Sequence, residues 1–226
     1  MIENKISVSG KGLYMRPFFV FILFILSTSL FALELFDSPL NMENKKIVEA
    51  IFSEISLHNL VTSEFFQEKR INRLNRTINS SGSMIFDSSK GIAWLIQKPF
   101  PSTTVLTDDA IIQKSPGGQV RILSAEGNET FQRFSLTIQS VFLGQMALIL
   151  EEYDIYFLDG EIEPWRIGLI PKDSALKGII KAIEINGDKF IHVFKISEAN
   201  GDDLIYQFEN INFPDKLSED ELRVFE

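Results

Sequence analysis

The chain lacks cysteine altogether and has only two histidines among its 226 residues. Without cysteine there is no disulfide framework, no thiol chemistry and no cysteine that could be lipid-modified after an export signal. The histidines, His58 and His192, lie far apart in the sequence and form no ligand-spaced cluster, which argues against a zinc site. We therefore expect neither a metal site nor a cofactor.

Sequence motifs for catalysis are also missing. The chain has no Gly-x-Ser-x-Gly elbow for a nucleophile and no Gly-rich loop followed by Lys-Ser or Lys-Thr for a phosphate. The acid pairs Asp108-Asp109, Glu151-Glu152 and Asp202-Asp203 lie at predicted turns or strand edges, where carboxylates are normally solvated. We predict that the chain is not an enzyme.

Positive charge is scarce as well. The 22 lysine and arginine residues face 31 aspartate and glutamate residues, which gives a formal net charge of −9. A surface with this excess of negative charge repels nucleic acid and anionic headgroups. We expect no nucleic-acid partner.

The start of the chain has the pattern of an export signal. Basic residues up to Arg16 precede an apolar run from Phe18 to Leu26, and the small residues Ser27 to Ser29 follow. We predict a signal peptide over residues 1–32, cleaved between residues 29 and 32, and hence a periplasmic protein.

Retention of this segment as a membrane anchor is the alternative. Apolar residues resume at Leu30 and continue to Phe36. With this extension the apolar segment approaches the ~18 residues that a spanning helix needs. Both outcomes stay open at the level of the sequence.

Hydrophobic periodicity predicts two amphipathic helices. Apolar residues recur at helical spacing over residues 41–58 and again over residues 128–144. In the second segment Asn128 is a candidate N-cap and Gly144 a candidate stop. The apolar side of this second helix is unusually bulky, as expected of a helix that plugs an open sheet face.

Elsewhere the apolar residues have a period of two, which is typical of strands. Turn sequences such as Asp159-Gly160, Asn186-Gly187 and Asn200-Gly201 join neighbours tightly and predict antiparallel hairpins. The predicted strands are residues 60–71, 81–86, 92–98, 103–107, 110–114, 119–124, 148–158, 165–170, 179–185, 189–197 and 204–213.

This order of elements has no alternating βαβ rhythm and predicts a mainly β fold of the α+β type. We expect a strongly curved antiparallel sheet, or incomplete β-barrel, whose concave apolar face is covered by helices. Residues 33–226 are predicted to form a single domain, with a loosely held tail after Pro214.

Helices that lie across such a sheet can enclose an apolar cavity. Taken singly, large apolar residues on these elements are more typical of a packed core than of a ligand site. The curved sheet, the Phe-rich helix and the export signal together favour a pocket. The candidate cavity residues are Phe65, Met84, Phe86, Trp94, Ile96, Phe131, Phe134, Ile138, Phe142 and Trp165.

An ordered set of motifs resembles the outer-membrane lipoprotein carrier family, nearest to its divergent LolA-like branch. The similarity spans about residues 60–213. The first motifs are Phe65-Phe66-Gln67-Glu68-Lys69, Ser81-Gly82-Ser83-Met84-Ile85-Phe86, Gly91-Ile92-Ala93-Trp94 and Lys98-Pro99. The later ones are Leu106-Thr107-Asp108-Asp109, Trp165-x-x-x-Leu169-x-Pro171 and Asn200-Gly201-Asp202-Asp203.

The resemblance implies an incomplete antiparallel barrel closed by helices. It also implies a carrier of lipoprotein acyl chains that works between an inner-membrane exporter and an outer-membrane acceptor. In that family an arginine in the turn before the tryptophan strand gates the cavity. Ser88 stands at the corresponding position here, and Lys90 is the candidate substitute. The resemblance thus implies a cargo that is a lipoprotein or another acylated molecule.

Three hypotheses follow. The first is a monomeric periplasmic carrier of acylated cargo. The second is a periplasmic lipid-sensing or regulatory module on the same scaffold, because a fold alone does not separate carriage from sensing. The third is an anchored envelope protein with a solid core.

Overall fold

The computed structural model describes residues 35–124, 126–158 and 165–226. The predicted signal peptide and its cleavage site lie outside these ranges. Residues Leu35–Glu226 belong to one compact unit. None of the helices in the described ranges combines the length and apolar character that a membrane crossing requires.

Within the described ranges, eleven antiparallel strands in one sheet form the body of this unit, and this sheet is not closed into a barrel. The strands are β1 (Leu60–Ile71), β2 (Arg76–Asp87), β3 (Gly91–Lys98), β4 (Ser102–Leu106), β5 (Ala110–Lys114), β6 (Val120–Ser124), β7 (Tyr153–Leu158), β8 (Trp165–Pro171), β9 (Ile180–Gly187), β10 (Ile191–Glu198) and β11 (Asp203–Asn212).

The first and last strands of the sheet in sequence are neighbours in space. The strand order is β6-β5-β4-β3-β2-β1-β11-β10-β9-β8-β7, so that β1 pairs with β11 at the centre and β6 and β7 are the two edges. Phe65 on β1 is directly opposite Phe208 on β11. This pairing joins the two halves of the chain into one continuous curved wall and confirms the predicted fold class.

Five α-helices that lie wholly within the described ranges accompany the sheet, together with a 3₁₀ turn at Asn72–Leu74. They are α1 (Lys45–Ile55), α2 (Glu129–Phe142), α3 (Met146–Glu152), α4 (Ser174–Lys177) and α5 (Glu219–Arg223). As predicted, the Asn128 side chain caps α2 by accepting a hydrogen bond of 3.0 Å from the Phe131 N–H.

Gly144 ends α2 and lets the chain pass close to α1. Its φ is +66°, and a Cβ at this position would lie 2.2 Å from the Phe52 carbonyl oxygen. Only glycine tolerates both the backbone conformation and this close approach. The two helices are therefore tied together at this point.

The two faces of the sheet bury separate apolar clusters. On the concave face, residues from α1, α2 and α3 pack with most strands in one large core, which includes Phe52, Phe86, Phe142 and Ile149. On the convex face, a smaller cluster contains Ile85, Ala93 and Val105. The alternation of side chains along each strand produces this division.

The segment after Pro214, predicted to be loosely held, packs on the convex face instead. Leu217 is buried in the smaller cluster, and Val224 and Phe225 pack against it. The α5 helix has a capping box in which Ser218 and Glu221 bond reciprocally. The acidic composition of this segment concealed the three apolar residues that hold it.

The predicted strand over residues 148–158 is half wrong. Residues Met146–Glu152 form α3, and only Tyr153–Leu158 are extended. The apolar run Met146-Ala147-Leu148-Ile149-Leu150 consists mostly of good helix formers, and its short length gives no clear period. The helix buries Met146 and Ile149, one turn apart.

Phe142, at the end of α2, occupies the middle of an aromatic cluster. Its ring centroid lies between 5.8 and 6.1 Å from those of Phe86, Phe190, Phe194 and Phe208. The side chain is 1% exposed. It thereby connects α2 to β2, β10, β11 and the turn before β10.

We expect Phe142→Ala to lower the free energy of unfolding by about 3–5 kcal/mol, because it removes a buried ring from several aromatic neighbours. Phe100→Ala is the matched control, since Phe100 is 80% exposed; it should change stability by less than about 0.5 kcal/mol. Denaturant unfolding of both variants measures the difference. Equal stabilities for the two variants would contradict the central role of Phe142.

Candidate functional site

A cavity of about 300 Å³ lies on the concave face, beneath the apolar side of α2. Strands β3 to β6 form one wall, and β10 and β11 form the other. The lining residues are Trp94, Ile96, Thr104, Leu106, Ile111, Gln113, Leu123, Phe134, Ile138, Phe142, Phe194, Ile196, Leu204, Tyr206 and Phe208. Most of them are aliphatic or aromatic, so the interior is apolar.

Exposure increases from one end of the cavity to the other. Leu106, Phe142 and Phe208 at the inner end are buried. Gln113 on β5 and Leu123 on the edge strand β6 are exposed, and 39% of the Leu123 surface is accessible to solvent. The cavity therefore has a buried inner end and a solvent-exposed rim at the β5–β6 edge.

Two aromatic residues bring polar atoms to the cavity wall. Trp94 and Tyr206 pack together with their ring centroids 5.8 Å apart. The Trp94 Nε1–H is buried and has no hydrogen-bond partner among the described residues. Desolvation by the surrounding side chains raises the pKa of the Tyr206 hydroxyl above its ordinary value of about 10. Both side chains are thus neutral.

Half of the ten predicted cavity residues line this cavity. Trp94 and Ile96 on β3 and Phe134, Ile138 and Phe142 on α2 are among its lining residues. The structure places these two segments around the same cavity. Whether these five side chains bind a ligand stays a prediction.

Three of the others belong to the solid part of the concave core. Phe65, Met84 and Phe86 are each at most 3% exposed and do not line the cavity. They lie on β1 and β2 on the same face of the sheet as the cavity residues. Neighbouring side chains fill the space around them, as the ring contact between Phe86 and Phe142 shows.

Phe131 and Trp165 lie elsewhere. Phe131, in the first turn of α2, is half-buried and is absent from the lining. Trp165, at the start of β8, packs on the edge of the large core and donates a hydrogen bond of 2.6 Å from Nε1 to the Asp188 carbonyl oxygen. Its position is that of a structural residue.

Lys90, the candidate gating residue, lies in the turn between β2 and β3. Within the described ranges its side chain makes no hydrogen bond or ion pair, and it does not line the cavity. This turn is hydrogen-bonded to the connection between α1 and β1, because the Ser88 backbone N–H and hydroxyl both donate to Asn59. A gating role for Lys90 stays a prediction.

Sequence reasoning missed the wall formed by the other strands. Phe194, Ile196, Leu204, Tyr206 and Phe208 come from β10 and β11. The period-two pattern of both segments marks one apolar face on each strand. It does not show that these faces lie opposite β3 to β6, because that depends on the long-range pairing of β1 with β11.

Among the described residues, no group of three or more histidine, aspartate or glutamate side chains is placed to hold a metal ion. The cavity has an apolar interior and a few polar side chains at its wall. Such an arrangement can bind an apolar chain and offers no activated nucleophile.

No family model and no curated protein matches the chain. Among solved structures, it is similar to one described as an outer membrane lipoprotein-sorting protein domain from Vibrio parahaemolyticus, with 9% identity over 82% of this chain and 100% of that one, at a TM-score of 0.44. A DUF1329 family protein from Desulfovibrio piger is 12% identical over 76% of this chain and 92% of that one, at a TM-score of 0.44. A LolA superfamily protein from Nitrosomonas europaea is 9% identical over 77% of this chain and 98% of that one, at a TM-score of 0.41. At TM-scores below 0.5 these similarities carry no functional argument.

Tyr206 should make the free energy of unfolding depend on pH in the alkaline range. Its pKa is raised in the folded chain, so the unfolded chain loses the hydroxyl proton first. The contribution of the protonated Tyr206 hydroxyl to the free energy of unfolding is complete below about pH 10, and it is lost as the pH rises above that value. We expect the unfolding free energy of the wild type to fall by up to about 1.4 kcal/mol per pH unit more than that of Tyr206→Phe.

Denaturant unfolding of both proteins on either side of pH 10 tests this expectation. Below this pH the difference between wild type and Tyr206→Phe should be constant. Parallel curves above it would show that the hydroxyl ionises as freely in the folded chain as in the unfolded one.

Proposed function

We propose that this chain is a periplasmic carrier that shields an acyl chain of a lipoprotein, or of another acylated molecule, during transfer from the inner to the outer membrane. The single observation that carries the proposal is the apolar cavity beneath α2, with its buried inner end and its rim at the surface. An apolar void of this kind suits a guest with an apolar tail and a polar head.

The cavity volume suits one acyl chain. About 300 Å³ corresponds to about ten water-sized groups at ~30 Å³ each. A methylene group is of similar size, so the interior holds most of one chain. Each methylene removed from water contributes about 0.8 kcal/mol, or about 8 kcal/mol for ten. A bare chain would therefore not cross an aqueous compartment at a useful rate.

Loading and release need little free energy from outside. The environment of a chain in this cavity is about as apolar as that in a bilayer, so the exchange between the two is close to neutral. Small differences, such as a shift of α2 or contact with a partner, then decide its direction. The proposed role requires no catalytic group.

The cellular part of the proposal is supported by the sequence. The predicted signal peptide over residues 1–32 supports the periplasm as the compartment. The LolA-like motifs support an inner-membrane exporter and an outer-membrane acceptor as partners. The absence of cysteine means that the carrier has no lipid anchor of its own on a cysteine.

We expect Phe134→Glu to weaken the binding of an apolar dye by about tenfold or more, because it places a carboxylate in the cavity wall, where it lacks a partner. Phe134 is a suitable target because it lines the cavity and is only half-buried. Replacement of Phe142, which also lines the cavity but packs among Phe194 and Phe208, would test folding instead of binding.

Leu136→Glu is the matched control on the same helix. Leu136 is 43% exposed and does not line the cavity, so the same charge should leave dye affinity unchanged. Unfolding curves verify that both variants fold. Equal dye affinities in wild type and both variants would place the binding site somewhere other than this cavity.

A further inference from the structure

The cavity wall formed by β3 to β6 differs in charge from the rest of the chain. The sequences of these four strands contain the basic residues Lys98, Lys114 and Arg121 and no acidic residue. The whole chain has a formal net charge of −9. A local excess of positive charge in an acidic protein attracts anions to one place.

Arg121 lies on the cavity side of this wall. In the register of β5 and β6 it is directly opposite Gln113, which lines the cavity, and opposite residues of an antiparallel pair share a face. Two residues along β6, Leu123 also lines the cavity. Lys114 is on the other face, where its Nζ donates a hydrogen bond of 3.1 Å to the Val224 carbonyl oxygen.

A row of polar side chains connects Arg121 to the interior. The register places Trp94, Thr104, Gln113 and Arg121 side by side on β3, β4, β5 and β6. Neighbours in such a row are about 5 Å apart. Each of the four side chains carries a hydrogen-bond donor. The side chains of Trp94 and Arg121 can only donate, because they have no acceptor atom.

None of these four side chains has a hydrogen-bond or ion-pair partner within the described part of the chain. By contrast, Lys69 on the same face is paired with Glu198. The row also runs from the interior to the surface, because Trp94 Nε1 is buried whereas Gln113 and Arg121 are exposed. Unpartnered donors at the end of an apolar cavity suit an acceptor that a guest molecule supplies.

We infer that the cavity selects amphiphiles with an anionic, oxygen-rich head group, whose carboxylate or phosphate is bound at the rim by Thr104, Gln113 and Arg121. This inference rests on the proposed function, since the acyl chain occupies the same cavity. Arg121 supplies the charge, and Thr104 and Gln113 supply neutral donors.

Displacement of a cavity-bound dye by three guests with the same chain tests the inference. The guests are dodecanoate, dodecyl phosphate and dodecanol, compared at low ionic strength and at a pH where both anions are ionised. The wild type should bind at least one of the anions about three- to fivefold more tightly than the alcohol, as expected for a charge pair at an exposed rim. A preference for one anion only identifies whether the head is a carboxylate or a phosphate.

Arg121→Gln should remove this preference and leave the affinity for dodecanol unchanged. Lys114→Gln is the control, because it removes the same charge from the convex face and should leave the preference intact. Equal affinities for all three guests in the wild type, or an undiminished preference in Arg121→Gln, would overturn the inference. Failure of all three guests to displace the dye would instead contradict the proposed function itself.

Discussion

The packing of Phe142 into the concave face of the sheet holds α2 in place, and the cavity exists because α2 is held there. The Phe142 ring contacts residues of β2, β10 and β11. Gly144 then ties the end of the helix to α1. These contacts fix the C-terminal end of α2, whereas Phe134, nearer to its start, is half-buried over the cavity.

Curvature of the sheet explains why the space beneath α2 is not filled. Strands β3 to β6 and strands β10 and β11 approach it from two sides, since the pairing of β1 with β11 brings the halves of the chain together. Side chains from the strands reach the inner end, which is buried, but leave a gap toward the β6 edge. The same edge presents Gln113 and Arg121, whose side chains have no partner within the described part of the chain, so apolar space and free donors meet at one edge of the sheet.

Local patterns in the sequence predicted the elements better than the site. Asn128 and Gly144 marked the ends of α2, and the period of two identified the strands, because caps and alternation depend on near neighbours. The apolar run from Met146 to Leu150 was mistaken for a strand because it is too short to show a period. Phe65 and Phe86 are on the predicted face but in its filled part, and Tyr206 joins the site through a pairing that links distant segments. Long-range pairing and the degree of filling are properties of the whole fold.

Mass spectrometry of the apolar molecules extracted from the natively purified chain tests the central claim most directly. The proposed carrier should release a molecule with an acyl chain in an amount comparable to the protein, and the Phe134→Glu variant should release much less. A wild-type chain that is folded, carries no such molecule and takes up none when acylated guests are added would contradict the claim that the space beneath α2 holds an acyl chain.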